Sequence, residues 1–561
     1  MATIQAKTSH GQKYWYIVES RRVNGKPRPI VLAYLGKIEN LLQRLSPDSS
    51  GGFCLKSYSH GLVSTLYQKA CQLNIAKVID SHSCSPREYT AEKPIRNGLT
   101  VGETIVLAAI GRACRPCSKM GWAEWASSTS LGYLLKRDLS GLDSQHFWDH
   151  MDCIPTNAIE KIETEILKQA WKLYKPITET LLFDTTNFFT YINTNNKRCT
   201  IAKRGKNKQK RIDLRQVGLA LVVTKKDQLP LFHYSYEGNR NDYTTFKDVI
   251  EKIKQRLIDL GLSISNHTMV YDKGMNSKKN FQIIDSLKVH YVTSIKLSGQ
   301  NTLIQDFKTT GCNIELNGQQ VKAYKDTRKI LGKKRTAIVY FSENFKEGVL
   351  NGITETIQKK IQALGMLAVK IRTAKRTISK EKREQQINKL IGKKLLKVIR
   401  WKIDSTGSLS HWIDEDQMEM LKENLGIKIL VTDRNSWSCT EVIQAYTGQS
   451  AVEEEFRNIK NPMHLAFRPQ FHWTDQKIKT HFFICVLAHL LSRLIFKEVT
   501  SKIDYKHTLG KLLEDLTGIR LGTYAKKGEK AKKKTVMPFY SLEEAKSADQ
   551  KILVNALSIT P

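Results

Sequence analysis

The chain has 561 residues, with 90 lysines and arginines against 54 aspartates and glutamates, for a formal net charge of +36. That length allows several domains with cores of their own, and an excess of positive charge on this scale points to a polyanionic partner, nucleic acid before any other. No run of about eighteen apolar residues occurs, so no membrane span is expected. The opening MATIQAKTSHGQ has no apolar signal core, and the ten cysteines are scattered. Cys114 and Cys117 form a CxxC without a second pair at zinc-finger spacing, which reads as unpaired thiols in a reduced intracellular protein.

Taken in chain order, YWYIVESRRVNGKPRPIVLAYLG comes first. Two alternating apolar runs flank Asn24-Gly25, the dipeptide of a type I′ hairpin turn, and Pro27 and Pro29 make the second run an edge strand. From about 40 to 175 the pattern is helical, as in VGETIVLAAIGRAC, with Trp122, Trp125, Trp148 and Trp171 read as core residues. Near 178 the texture changes. ETLLFDTTNFFTYI is an apolar strand with an acid inside it, followed by the basic stretch KRCTIAKRGKNKQKRIDLR. The strands VGLALVVT and PLFHYSYE come next, then the helix TTFKDVIEKIKQRLIDL. HTMVYDKG is a buried strand ending in an acid, and VHYVTSIK another strand. Three strands, a helix and two further strands are the opening order of a ribonuclease-H-like α/β sheet. Between about 300 and 430 this rhythm breaks, with a second NG turn at Asn317-Gly318, the strand TAIVYFS and a long basic helix from about 354 to 396. FFICVLAHLLSRLIF is an apolar helix that needs burial, and AKKGEKAKKKT reads as a solvated basic loop.

Two carboxylates interrupt apolar strands: Asp184 and Asp272. A charge inside a buried run is costly unless it is paired or binds a cation. Two such acids on neighbouring strands repel, and a divalent metal relieves the repulsion. Asp433, in ILVTDR, is a competitor with the look of a turn residue. A third acid is expected on the helix around YTGQSAVEEEFRNIK. At about 100° per residue, Val452, Phe456, Ile459 and Met463 share one stripe, the core face. Glu454 lies opposite that stripe and Glu455 flanks one edge. Glu453 lies on the other edge, in a polar row with Tyr446, Gln449, Arg457 and Lys460. For the helix alone, a charged rim is the plainer reading.

With these residues in place the chain resembles the bacterial insertion-sequence transposases with a DDE triad, and most of all the branch of insertion sequence four. That branch carries a helix signature Tyr-x2-Arg-x3-Glu-x6-Lys. Tyr446, Glu453 and Lys460 match it in register, and Gln449 stands where the branch has Arg. FDTTNFF resembles the first-Asp motif, VYDKG the second, and RIDLRQVGLALV and YEGNRNDYTTF the segments between. ESRRVNGKPR…LAYLG also resembles the branch. The resemblance implies an α/β ribonuclease-H-like catalytic core with a β-rich insertion, preceded by a β-hairpin and a helical DNA-binding region. It implies that Asp184, Asp272 and Glu453 are both catalytic and metal-binding, holding Mg²⁺ with Mn²⁺ as substitute. Tyr446, Gln449, Arg457 and Lys460 are then DNA-binding residues. Transposon ends would be cleaved by two-metal-ion hydrolysis and joined to target DNA by transesterification. The partners are double-stranded DNA, as terminal repeats and target, and a second copy of the chain at paired ends. The expected location is the bacterial cytoplasm, at the nucleoid.

The expected layout is a β-hairpin region at 1–40, a helical DNA-binding region at 41–175 and the first part of the core at 176–300. An insertion domain at 301–432, the second part of the core with the Glu helix at 433–500 and a basic tail at 501–561 follow. Gln cannot supply the charge or the bidentate fork of Arg, so Gln449 is a true departure, with Arg457 the nearest substitute on that edge. A structure-specific nuclease on the same fold needs the same acids and differs only in strand transfer. A catalytically silent DNA-binding relative would not need them. A paired-carboxylate glycosidase leaves the basic surface without a purpose.

Overall fold

A computed structural model describes residues 2–9, 12–23, 26–37, 53–84, 96–207, 209, 211–373, 379–404, 408–461, 464–467, 471–526 and 539–561. The chain divides into two compact units, one of residues 1–176, 187–217 and 456–561, the other of 177–186 and 218–455.

The first unit opens on an antiparallel sheet of three strands, β1 (Ala2–Ser9), β2 (Gln12–Val23) and β3 (Lys26–Gly36), with β2 in the centre. The sequence anticipates only the β2–β3 hairpin. Val23 pairs with Lys26 across the two-residue connection, while Asn24 and Gly25 themselves lie outside the described residues. The proline-bearing β3 is an edge strand, as a residue without N–H requires. Next, β4 (Phe53–Ser59) leads into helices built around Asp475–Lys502, which packs against Val101–Cys114, Gly61–Gln72, Ser144–Asp152 and Ile159–Tyr174. Enclosure on these sides explains why FFICVLAHLL has no polar face: Phe482 through Leu491 are all buried. The helix lies in the first unit, so the expected segment 433–500 is divided between the two units at Phe456. The segment 501–561 is not a basic tail. Strand Arg520–Lys526 pairs with β4 and with Phe539–Leu542, and the helices Leu509–Thr517 and Ala548–Ala556 pack on the same unit. Most of the lysine run at 525–535 lies outside the described residues.

The second unit is built on one sheet. Its strands are β5 (Thr180–Thr190), β6 (Arg215–Thr224), β7 (Pro230–Glu237), β8 (Thr268–Tyr271), β9 (His290–Ile295), β10 (Cys312–Leu316), β11 (Gln319–Ile330) and β12 (Lys333–Phe341). The hairpin β13 (Ile399–Ile403) and β14 (Leu409–Ile413) stands apart, and β15 (Ile427–Thr432) rejoins the sheet. The order is β10-β11-β12-β15-β9-β8-β5-β6-β7. The run β7-β6-β5-β8-β9 is the ribonuclease-H-like core. Leu181, Leu182, Phe183, Val270 and Val292 are fully buried within it.

The expected insertion at 301–432 is therefore of two kinds. Strands β10, β11, β12 and β15 extend the core sheet edgewise, and only the stretch between β12 and β15 forms a separate cluster. There helix Glu343–Thr373 packs on helix Lys380–Ile391 and on β14, around Leu364, Ile387 and Ile399. The basic helix starts earlier than expected and is two helices, with 374–378 between them outside the described residues. Asn317 and Gly318 have φ of 51° and 77° between β10 and β11, the positive pair that a type I′ turn requires.

Candidate active site

Strands β5, β8 and β9 run parallel. Phe183 pairs with Tyr271, and Tyr271 with Thr293. One residue further along, Asp184 inside β5, Asp272 directly after the end of β8 and Ser294 near the end of β9 therefore stand side by side across three adjacent strands. Both aspartates are half-buried, each directly after a fully buried run. Asp272 caps the short turn Lys273–Met275 and accepts the Gly274 N–H at 3.4 Å. Asp184 accepts the Thr185 N–H at 2.7 Å.

The competitor Asp433 is at the other end. Strand β15 pairs antiparallel with β9, so its last residues meet the start of β9. There Asp433 accepts from the Tyr291 N–H at 3.0 Å and contacts His290 Nδ1 at 2.7 Å, a structural post at the wrong edge of the sheet.

The expected single helix from Tyr446 is two. Helix Cys439–Thr447 ends at Gly448, and Gln449–Lys460 follows. Lys225 causes part of this: its Nζ donates to the Gln444 carbonyl at 2.7 Å, and its side chain occupies the space a Cβ at position 448 would need. Tyr446 thus sits in the last turn of the first helix. Its hydroxyl donates to Ser294 Oγ at 2.8 Å, beside Asp272. Burial raises the phenol's pKa above its ordinary value, the hydrogen bond to Ser294 opposes this, and the carboxylates of Asp272 and Glu453 add to the rise. Tyr446 accordingly lies within electrostatic reach of both acids.

On the second helix Val452, Phe456 and Ile459 are buried, as their stripe requires, and Met463 lies outside the described residues. Glu453 and Glu454 are exposed, but Glu455 is fully buried. The expectation that Glu455 only flanks the stripe is corrected. It lies about 40° from Ile459 around the axis, and the buried arc is wide enough to include it. Glu453, about 60° beyond Phe456, falls outside. The backbone of Gln449 opens this helix, and its side chain lies outside the described residues. Arg457 is exposed, and Lys460 is half-buried with its Nζ 5.5 Å from the Phe188 ring centroid.

Two site residues, Lys428 and Asn276, escape a reading of the sequence. Because β15 runs antiparallel, its first residues reach the acid-bearing end, and Lys428 is there, opposite Tyr340 of β12. Its Nζ lies 4.1 Å from the Phe345 ring centroid. Burial lowers its pKa, Lys273 lowers it further, and Glu453 pulls it up, so both groups act on it directly. Asn276 ties the turn after Asp272 to β9 by donating to the Ser294 carbonyl at 2.7 Å. A lysine in a strand and an asparagine in a turn carry no signal without the sheet order.

Hard carboxylate oxygens such as those of Asp184 and Asp272 suit a Mg²⁺- or Mn²⁺-like ion. Among the described residues no group of three or more His, Cys, Asp and Glu side chains is gathered closely enough to hold an ion. The structure brings the two aspartates together and sets Glu453 within reach of Tyr446 and Lys428. No described helix is long and apolar enough to cross a membrane.

Residues 179–491 match the family described as "Transposase DDE domain", and residues 2–49 match the "IS1634 family transposase, N-terminal domain". The second match points to the IS1634 group in place of the expected insertion sequence four. No curated protein matches the chain. Among solved structures, a cryo-EM structure of a piggyBac transposase synaptic complex with hairpin DNA is similar at 10% identity. The similarity covers 81% of this chain and 79% of that one with a TM-score of 0.40, too weak to carry a conclusion.

Proposed function

The chain belongs to the bacterial insertion-sequence DDE transposases, enzymes that cleave DNA, transfer its strands and depend on a divalent metal, and from that premise we propose that Asp184, Asp272 and Glu453 are its catalytic carboxylates. The observation that carries this reading is that Asp184 and Asp272 directly follow the paired Phe183 and Tyr271 on neighbouring parallel strands, with Tyr446 in electrostatic reach of both Asp272 and Glu453. The metal is Mg²⁺, with Mn²⁺ able to replace it. Two such ions, which Asp184, Asp272 and Glu453 would hold, would supply activation of an attacking oxygen and stabilisation of a leaving oxygen at phosphorus.

The protein's own residues do the rest. Tyr446, bound to Ser294, fixes the end of its helix on the strand that neighbours Asp272. Asn276 holds the turn behind that aspartate. Lys428 places a cation within electrostatic reach of Glu453 and is suited to a phosphate of the cleaved strand. Tyr446, Gln449, Arg457 and Lys460 contact DNA phosphates, and two copies of the chain act on paired ends. Water attacks the phosphodiester at the transposon end, and the 3′-hydroxyl so released attacks target DNA.

The test is incubation of the full chain with DNA carrying its element's terminal repeats, a target plasmid and Mg²⁺. The reading expects cleavage at the element's ends followed by joined products. Cleavage without joining would identify a nuclease instead.

A further inference from the structure

The helical unit contains a cavity of about 460 Å³ whose lining includes Arg112, Lys119, Met120, Trp148, Phe471 and His472. Lys119 points its Nζ to 4.0 Å from the centroid of the Trp148 ring and donates to His472 Nε2 at 3.1 Å. His472 is held neutral, far below its ordinary pKa, by burial and by the cations around it, so it accepts that hydrogen bond and adds no charge. The charges acting on Lys119 are Arg112 and Lys477, which repel it, and the thiol of Cys485. Lys477 has an acid of its own, Asp152, at 2.8 Å. Among the described residues no carboxylate pairs with Lys119. Desolvation and this repulsion bring its pKa down to about 7. A cation in such a place is stabilised by an anion that enters from outside.

The mouth of the cavity is apolar and open. Met120 is 80% exposed and Phe471 72%, and Tyr191 lies beside Phe471 with ring centroids 6.4 Å apart. Exposed aromatic surface of this kind marks a ligand site. Recessed cations behind an exposed ring match a phosphate joined to a base, since bases stack on aromatic side chains whatever their identity. A base inside a duplex has both faces covered by its neighbours, so only an unpaired one can stack on Phe471. The volume lies in the range of about 300–1,000 Å³ typical of small-ligand sites.

We propose that this cavity binds an unpaired nucleotide of a DNA strand, with its base on Phe471 and its phosphate at Lys119 and Arg112. The proposal rests on the chain being a DNA enzyme and not on the assignment of the three carboxylates.

The experiment is fluorescence anisotropy of a labelled oligothymidylate, and of a duplex of equal length, with the full chain and its Phe471→Ala and Lys119→Met variants. Phe471→Ala is expected to weaken oligothymidylate binding about tenfold, the scale of one lost stacking contact, and to leave duplex affinity within about twofold of wild type. Lys119→Met should reduce the salt slope for the single strand by about 0.7, one phosphate contact. Melting temperatures identify a variant that fails to fold, and Phe471, being exposed, keeps the test open if Lys119→Met does. Unchanged oligothymidylate binding by a folded Phe471→Ala overturns the proposal. So does an equal loss for duplex, which marks plain charge attraction. Displacement of the oligomer by thymidine monophosphate or inorganic phosphate as readily as by unlabelled oligomer assigns the cavity to a free anion and also overturns it. Loss of end cleavage in Asp184→Asn with oligothymidylate binding intact keeps the two readings separate.

Discussion

The end of the large sheet and the cavity of the helical unit are opposites in charge and in construction. In the sheet, Asp184 and Asp272 each directly follow one member of the pair Phe183 and Tyr271 on neighbouring parallel strands, so like charges meet because hydrogen bonding between strands puts them there. In the cavity, Arg112 and Lys119 come from one stretch of chain, Trp148 from a second and Phe471 from a third, and they meet only through packing. An acid cluster is suited to a cation and a cationic cavity to an anion, and an enzyme that moves DNA strands uses both. The difference teaches where function is visible in a sequence. A charge that breaks an apolar strand is a local signal. A cation made unusual by what packs on it is not.

The sharpest break in this comparison comes from the acids. Asp184→Asn and Asp272→Asn are each expected to reduce single-turnover cleavage of end DNA by a factor on the order of 10³ or more, with DNA affinity retained in a binding assay. Lys428 comes next. Lys428→Met should slow cleavage about tenfold through loss of one charge-assisted contact, while Lys428→Arg keeps most of the rate. Equal loss in both variants would mean that Lys428 only packs on Phe345.

Glu453 and Glu455 sharpen the account within one helix. Glu455→Ala should lower the melting temperature by about 2–4 °C, because its side chain is fully buried. Glu453→Ala, altering an exposed residue, should leave it unchanged in a thermal scan.

The smallest effect concerns Lys119. Its folded pKa of about 7 lies below the ordinary lysine value, so between about pH 7 and 10 the unfolded chain binds a proton that the folded chain lacks. Stability should then rise with pH across that window, and the cost of the buried cation is full below it. Around Lys119, burial lowers the Lys477 pKa while Asp152 opposes that shift, His472 and His481 stay neutral, and Cys485 is pushed up to about 11. Relative to Lys119→Met, the wild-type melting temperature is expected to gain a few degrees between pH 7 and 9, read by calorimetry.

Much of the core was legible. LLFD and MVYD announce their strands and acids, and Asn317-Gly318 its turn, because each signal sits within a few residues. Val452, Phe456 and Ile459 announce the buried face of their helix in the same way. What was not legible depends on distant partners. The break at Gly448 depends on Lys225, two hundred residues earlier in the chain. The place of Lys428 depends on β15 running antiparallel, and the folded C-terminal segment on a strand partner near residue 56. Trp148 looked like a core residue among others, and packing made it a cavity wall.

Metal exchange tests the central claim most directly. Asp184→Cys, Asp272→Cys and Glu453→Cys, with Glu454→Cys as control, would be assayed for single-turnover cleavage of end DNA in Mg²⁺ and then in the more thiol-tolerant Mn²⁺. If the three carboxylates hold the same ions, each of the first three is inactive in Mg²⁺ and regains measurable cleavage in Mn²⁺, and Glu454→Cys cleaves in both. Full activity of Glu453→Cys in Mg²⁺ would contradict the account and remove Glu453 from the site.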